Sequence, residues 1–118
     1  MKKLLIIEND RDTLDVMSVI LEDNDFEVVE SQKKISLREI ERISPDVILI
    51  DHLLDDGFGS DLCLEIKSTP ATKNIPVILY SASYKIEQLA HDNYADAFIA
   101  KPFDLNNFLQ IVNELALH

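Results

Sequence analysis

One cysteine, Cys63, is all the chain carries, so neither an internal disulfide nor a cysteine-rich zinc site is open to it. That usage suits a reducing cytoplasm, the compartment expected here. Long apolar runs are also missing. Nothing approaches the ~20 residues of a membrane span, and Met1-Lys2-Lys3 leads into a run too short for a signal-peptide core. Basic residues are scarce: 11 Lys and Arg face 22 Asp and Glu, for a net charge of −11. With no basic stripe, the balance argues against unaided binding to a phosphate backbone, and no nucleic-acid or membrane partner is expected. No repeat, low-complexity segment or Gly/Ser linker interrupts the chain. One domain spanning residues 1–118 is the expectation.

What is present is organised around Asp46 to Asp51, DVILID. Val47 to Ile50 shows no polar alternation, as a central parallel strand covered on both faces requires. Pro45 ends whatever helix precedes it, and Asp51 stands where the strand runs out. In open α/β sheets ligands bind beyond the carboxyl ends of strands. On this residue alone, a turn or cap role is the stronger reading.

In chain order, Leu4 to Ile7 reads as a first buried strand. Asn9 or Asp10 caps a helix in which Leu14, Met17, Ile20 and Leu21 recur at helical spacing. Phe26 to Glu30 is a less apolar strand nearer an edge, and Ile35, Leu37, Ile40 and Ile43 mark a second helix. After the central strand, Asp55 to Gly59 is a loop, and Ser60 opens a helix with Leu62, Cys63 and Ile66 inward. Val77 to Tyr80 is a fourth strand, Ile86 to His91 a short helix, and Ala97 to Ala100 a fifth strand. Asp104 caps a last helix carrying Leu105, Phe108, Leu109, Val112 and Leu115. Strict alternation of strand and helix calls for a doubly wound α/β sandwich with a parallel sheet.

Every strand of such a sheet points the same way, so the residues after the strands share one rim. Glu8, Asn9 and Asp10 follow the first strand, Asp51 the third, Ser81 the fourth and Lys101 the fifth. The set suits a phosphoryl group held with a divalent ion. Mg²⁺ takes carboxylates together with phosphate oxygens, lysine and serine contact phosphate oxygens, and an aspartate can be the nucleophile.

The segments LLIIEND, PDVILIDHLLDDGFGSDLCLEIK, IPVILYSAS and ADAFIAKPF, in that order, resemble the receiver domain of bacterial two-component response regulators, the chemotaxis-type single-domain receiver included. The resemblance covers essentially the whole chain. It implies a flavodoxin-like (βα)5 fold with sheet order 2-1-3-4-5, and it makes Asp51 the phosphoacceptor for a sensor histidine kinase or phosphotransfer protein. It further implies Mg²⁺ held by Glu8, Asn9, Asp51 and the backbone carbonyl of Leu53. Lys101 contacts the phosphoryl group, Ser81 turns toward it on activation, Phe98 is the aromatic switch, and Lys101-Pro102 is a cis peptide.

Departures from the pattern are as informative. Asn9 stands where an aspartate usually ligates the metal, which implies weaker Mg²⁺ binding, with Glu8 or Asp10 compensating in part. Asn9 as a plain helix cap is an equal reading. Asp55 replaces a frequent proline and Phe58 a common aspartate before the retained Gly59, which reads as loop tuning. The Ser81–Lys101 segment is slightly short and lacks a glycine near Asn93-Tyr94. His52 should point away from Asp51 because side chains alternate, and His91 and His118 lack zinc-ligand spacing. Cys63 reads as core. Tyr80 and Tyr84 read as packing or partner-contact residues.

The expected function is a phosphorylation-dependent switch in phosphorelay signal transduction, with an unidentified downstream protein target. It is a regulator that assists its own phosphorylation and dephosphorylation, not an enzyme. The alternative is a degenerate receiver serving as a phosphorylation-independent interaction module. A haloacid-dehalogenase-type phosphohydrolase would want a second acid where Leu53 stands. A flavin-binding protein would want Ser, Thr or Gly richness after the first strand. With no effector segment after the last helix, the chain reads as a stand-alone receiver or as a piece of a larger regulator.

Overall fold

The computed structural model describes residues 1–117, so His118 and its expected lack of a metal role lie outside the described residues. The elements in order are β1 (Lys2–Ile7), α1 (Arg11–Asp23), β2 (Phe26–Ser31), α2 (Leu37–Ile43), β3 (Val47–Asp51), β4 (Leu53–Leu54), β5 (Gly57–Phe58), α3 (Gly59–Ser68), β6 (Val77–Ser81), α4 (Ile86–Asp92), β7 (Ala97–Ala100) and α5 (Leu105–Ala116). Five strands form one parallel sheet of order β2-β1-β3-β6-β7. Counting only these five strands, that is the expected 2-1-3-4-5 order.

Alternate residues of each strand supply two cores. Leu4, Ile6, Leu49, Ile78, Tyr80 and Ile99 pack with Leu14, Met17 and Leu21 of α1 and with Phe108, Val112 and Ala116 of α5. Leu5, Ile7, Ile48, Ile50, Val77 and Leu79 pack on the opposite face with Ile40 of α2, Leu62, Cys63 and Ile66 of α3, and Ile86 and Ala90 of α4. Every residue of β3 is buried. Both of its faces need apolar side chains, hence the unbroken run Val47–Ile50. β2, with a half-exposed pattern, is an edge strand as its composition implies. Among the described residues no helix is long and apolar enough to cross a membrane.

Several expectations are corrected. Asp10, not Asn9, caps α1, accepting from Thr13 N–H. Leu105 opens α5 on its solvent side, 46% exposed. The stretch expected as an open loop holds the β4–β5 hairpin, and α3 begins at Gly59 rather than Ser60. Gly57 makes the turn possible with φ +140°, and Gly59 is forced by proximity: a Cβ there would lie 2.0 Å from the Asp51 carbonyl oxygen. The start of α3 is thus seated on the backbone that carries Asp51.

α4 ends without the glycine its geometry favours. Tyr94 N–H donates to His91 O and Ala95 N–H to Ala90 O, the paired bonds of a Schellman closure. The residue at its left-handed position is Tyr94, with φ +61°. A side chain there crowds the following carbonyl at a cost of about 1–2 kcal/mol. Tyr94→Gly is therefore expected to stabilise the fold by about 1 kcal/mol, part of the relief being offset by unfolded-state entropy. The denaturant midpoint should rise; an unchanged or lower midpoint refutes the strain.

Candidate functional site

The sheet order reverses between β1 and β3, which lie side by side while their connections leave in opposite directions. That is where α/β sheets open a crevice at the carboxyl ends of their strands. Register does the placing. Ile7 pairs with Ile50, so the next residues, Glu8 and Asp51, leave adjacent strands together. Asp51 pairs with Tyr80 and Tyr80 with Ile99, two residues before Lys101. Glu8, Asp51, Tyr80 and Lys101 share the α1/α5 side of the sheet by strand alternation.

The side chains meet as that parity requires. Lys101 Nζ lies 3.3 Å from Asp51 Oδ2 and 3.3 Å from Glu8 Oε1. Glu8 is fully buried, while Asp51 keeps 10% of its side-chain surface open to solvent, enough for access from the rim. One ammonium thus answers two carboxylates. Burial first, then hydrogen bonding to Glu8, push the Asp51 carboxyl up to about 6 against the attraction of Lys101.

Sequence reading missed Tyr80. Its hydroxyl donates to Glu8 Oε1 at 3.1 Å, and the Lys101 ammonium stands 4.5 Å above its ring centroid. Burial, then the charges of Glu8 and Asp51, raise the phenol well above its ordinary value, so it stays a donor. A usable signal was present: a tyrosine in a fully buried run needs a partner for its hydroxyl.

The other expected residues sit around this centre. Asp10 is not free to compensate for Asn9, because its carboxylate is committed to Thr13. Asn9 is half-buried and donates from Nδ2 to Asp55 Oδ1 at 3.1 Å. Leu53 N–H donates to Asp51 Oδ1 at 3.2 Å. Its carbonyl shares that edge. Gly59 N–H bonds His52 O, and bonded and non-bonded pairs alternate in an antiparallel ladder, so the backbone groups of the Leu53–Phe58 pair point out of the hairpin. Ser81 is on the rim but not in the cluster, its hydroxyl accepting from Ser83 N–H at 3.1 Å. Phe98 is 38% exposed on β7, and Lys101-Pro102 is cis. His52 falls on the opposite parity from Asp51 and stacks on Phe58 at 5.2 Å. Phe58 therefore does more than tune the loop. Cys63 is buried, its thiol pushed up to about 12 by desolvation.

Among the described residues no three Asp, Glu, His or Cys side chains converge as a metal cluster. The donor chemistry nonetheless fits a hard cation. Two buried carboxylates with one lysine leave negative charge uncompensated, and oxygen donors surround it. Glu8, Asp51, the Leu53 carbonyl and the Asn9 amide are the groups that could hold Mg²⁺.

A doubly wound parallel sheet with an acidic cluster at its switch point defines a flavodoxin-like α/β protein. Within that class the chain belongs to the response regulator receiver domain family, which matches residues 4–113. A histidine kinase of Formosa agariphila is 32% identical over 120 positions, which cover 97% of this chain and 9% of the kinase. The DNA-binding transcriptional regulator RpaA of Synechocystis is 29% identical over 98% of this chain and 49% of its own length. The chain therefore spans half or less of these relatives. The receiver domain of a sensor histidine kinase from Pseudomonas aeruginosa superposes with a TM-score of 0.87 at 21% identity, over 99% of this chain and 98% of that one; its crystal structure has a magnesium ion coordinated in the active-site cleft. Family membership assigns a role in two-component phosphorelay signalling, in which receiver domains partner histidine kinases.

The cluster makes stability depend on pH. Asp51 binds its proton more tightly folded than unfolded, so without Mg²⁺ its contribution is full below about pH 4 and is lost as pH rises through about 6. The loss is roughly 3 kcal/mol. Asp51→Asn, lacking this titration, is expected to overtake the parent in stability above pH 6 in magnesium-free buffer. Urea melts at pH 4.5 and 8 measure it, and parallel pH dependences for the two proteins would refute it. Tyr80→Phe removes a donor from buried Glu8 and is expected to cost about 1–2 kcal/mol in the same assay. An unshifted midpoint would mean that the hydroxyl contributes nothing.

Proposed function

We propose that this receiver accepts a phosphoryl group on Asp51 from a phosphohistidine of a sensor kinase or phosphotransfer protein, with Mg²⁺ bound by Glu8, Asn9, Asp51 and the Leu53 carbonyl. The observation that carries the reading is the junction of Asp51, Glu8 and Lys101, brought together from three strand ends at the reversal of the sheet. An Asp51 oxygen attacks phosphorus as the phosphorus–nitrogen bond to imidazole breaks, and the departing nitrogen keeps the electron pair. Mg²⁺ held by these groups would supply positive charge against the phosphoryl oxygens. Lys101 is already within reach of the attacking carboxylate and follows the negative charge onto the phosphoryl group.

Loading the pocket changes what its neighbours can bond. The Ser81 hydroxyl, now held by Ser83 N–H, exchanges that partner for a phosphoryl oxygen, and half-exposed Phe98 moves with it. The new charge selects one of two packed arrangements of the α4–β7–α5 face. No separate substrate is turned over, so the domain acts as a regulator that assists its own phosphorylation and dephosphorylation.

Asn9 in an acidic position, with no three-acid cluster among the described residues, favours a second reading: an interaction module that works unphosphorylated. Amide spectra with beryllofluoride or acetyl phosphate decide between them. The switch requires shifts around Ser81 and Phe98 that need Mg²⁺ and vanish in Asp51→Asn. Spectra indifferent to Mg²⁺ would establish the module.

A further inference from the structure

Two departures from the receiver pattern touch. Asn9 stands where a metal-ligating carboxylate is usual and Asp55 where proline is frequent. They are 46 residues apart in sequence, yet Asn9 Nδ2 donates to Asp55 Oδ1 at 3.1 Å. The backbone of Asn9 is held as well, Gln32 Nε2 donating to its carbonyl at 3.1 Å. Among the described residues no Lys or Arg forms an ion pair with Asp55 or with neighbouring Asp56, whose carboxylate accepts from the Lys34 backbone N–H at 3.1 Å.

An amide is an ambiguous metal ligand: only Oδ1 can bind a cation, and a half-turn about the last bond puts the NH₂ in its place. A carboxylate has no donor and can accept only from that NH₂. Asp55 therefore fixes the Asn9 amide with Nδ2 toward the hairpin and Oδ1 on the opposite side of the Cβ–Cγ bond. It also returns to the neighbourhood the negative charge that asparagine lacks. The contact that ties Asp55 to the pocket is its bond to the Asn9 amide, so Asp55 acts through Asn9.

We propose that Asp55 is a positioning residue of the Mg²⁺ site, holding the Asn9 amide in its ligand orientation. This rests on the reading that the pocket takes Mg²⁺. Outer partners of metal ligands govern affinity strongly at enclosed sites. For this exposed bond a smaller effect is expected, about 3- to 10-fold.

The test is Mg²⁺ titration of the full chain followed by amide chemical shifts, with no phosphodonor present. Asp55→Ala and Asp55→Asn are expected to weaken binding by that factor, the latter because its own amide can turn an oxygen or a nitrogen toward Asn9. Asp56→Ala, which removes an equal charge one residue away, should change affinity less than two-fold, and Asn9→Asp with Asp55→Ala should recover at least the parental affinity. Thermal melts confirm folding of each variant. Saturable parental binding that Asp55→Ala leaves unchanged, or that Asp56→Ala weakens equally, overturns the inference alone. No saturable binding by the parent overturns the reading of the pocket, and this inference with it.

Discussion

Two carboxylates share one ammonium at the open end of the sheet, and neither acid can relax away. Glu8 is fixed by donors on both oxygens: Tyr80 and Lys101 on one, the Asp10 N–H on the other. Asp51 is fixed by Lys101 and by the Leu53 N–H. Burial first, and then the neighbouring Glu8, hold the Asp51 proton well above the usual carboxylate range despite Lys101. The pocket is therefore a stored electrostatic imbalance. A cation, a proton or a rearrangement of charge must register in the backbone that holds it.

The apolar sheet enforces this. Strand parity sends Leu4, Ile6, Leu49 and Tyr80 into the α1/α5 core, and the same parity carried past the strand ends delivers Glu8, Asp51 and Lys101. Sliding β1 by one residue would turn Glu8 to the other face and Ile7 to this one, exchanging a buried acid for a buried methyl group. Packing and chemistry are specified by one register. The α3 end is equally constrained, because Gly59 admits the helix against the Asp51 carbonyl where any Cβ would collide.

How legible each part was follows from the range of the force involved. Strands β1, β3 and β6 announce themselves because burial on two faces forbids polar alternation, and the rim residues follow from chain direction alone. Caps are harder. Asn9 and Asp10 are both good N-cap residues, and the choice depends on which one the strand exit leaves free. The β4–β5 hairpin spans only two residues on each strand, too few to show a period. Tyr80 looked like a packing residue because its partner, Glu8, lies 72 residues away. The Asn9–Asp55 contact was equally hidden: each residue is ordinary in its own segment, and only the turn of the hairpin brings them together.

Tyr80 ties the pocket to the rest of the molecule. Its ring belongs to the core that seats α1 and α5, its hydroxyl holds Glu8, and its face carries Lys101 at the end of β7. Moving Lys101 away from Asp51 thus alters a cation–π contact with a side chain that cannot itself move without opening the core. Its backbone neighbour, Ser81, already bonds the loop leading to α4. The rim is in this way in contact with two helices on one face and a loop on the other, through a single strand. A dry, close-packed interior transmits such a change because it has no slack in which to absorb it.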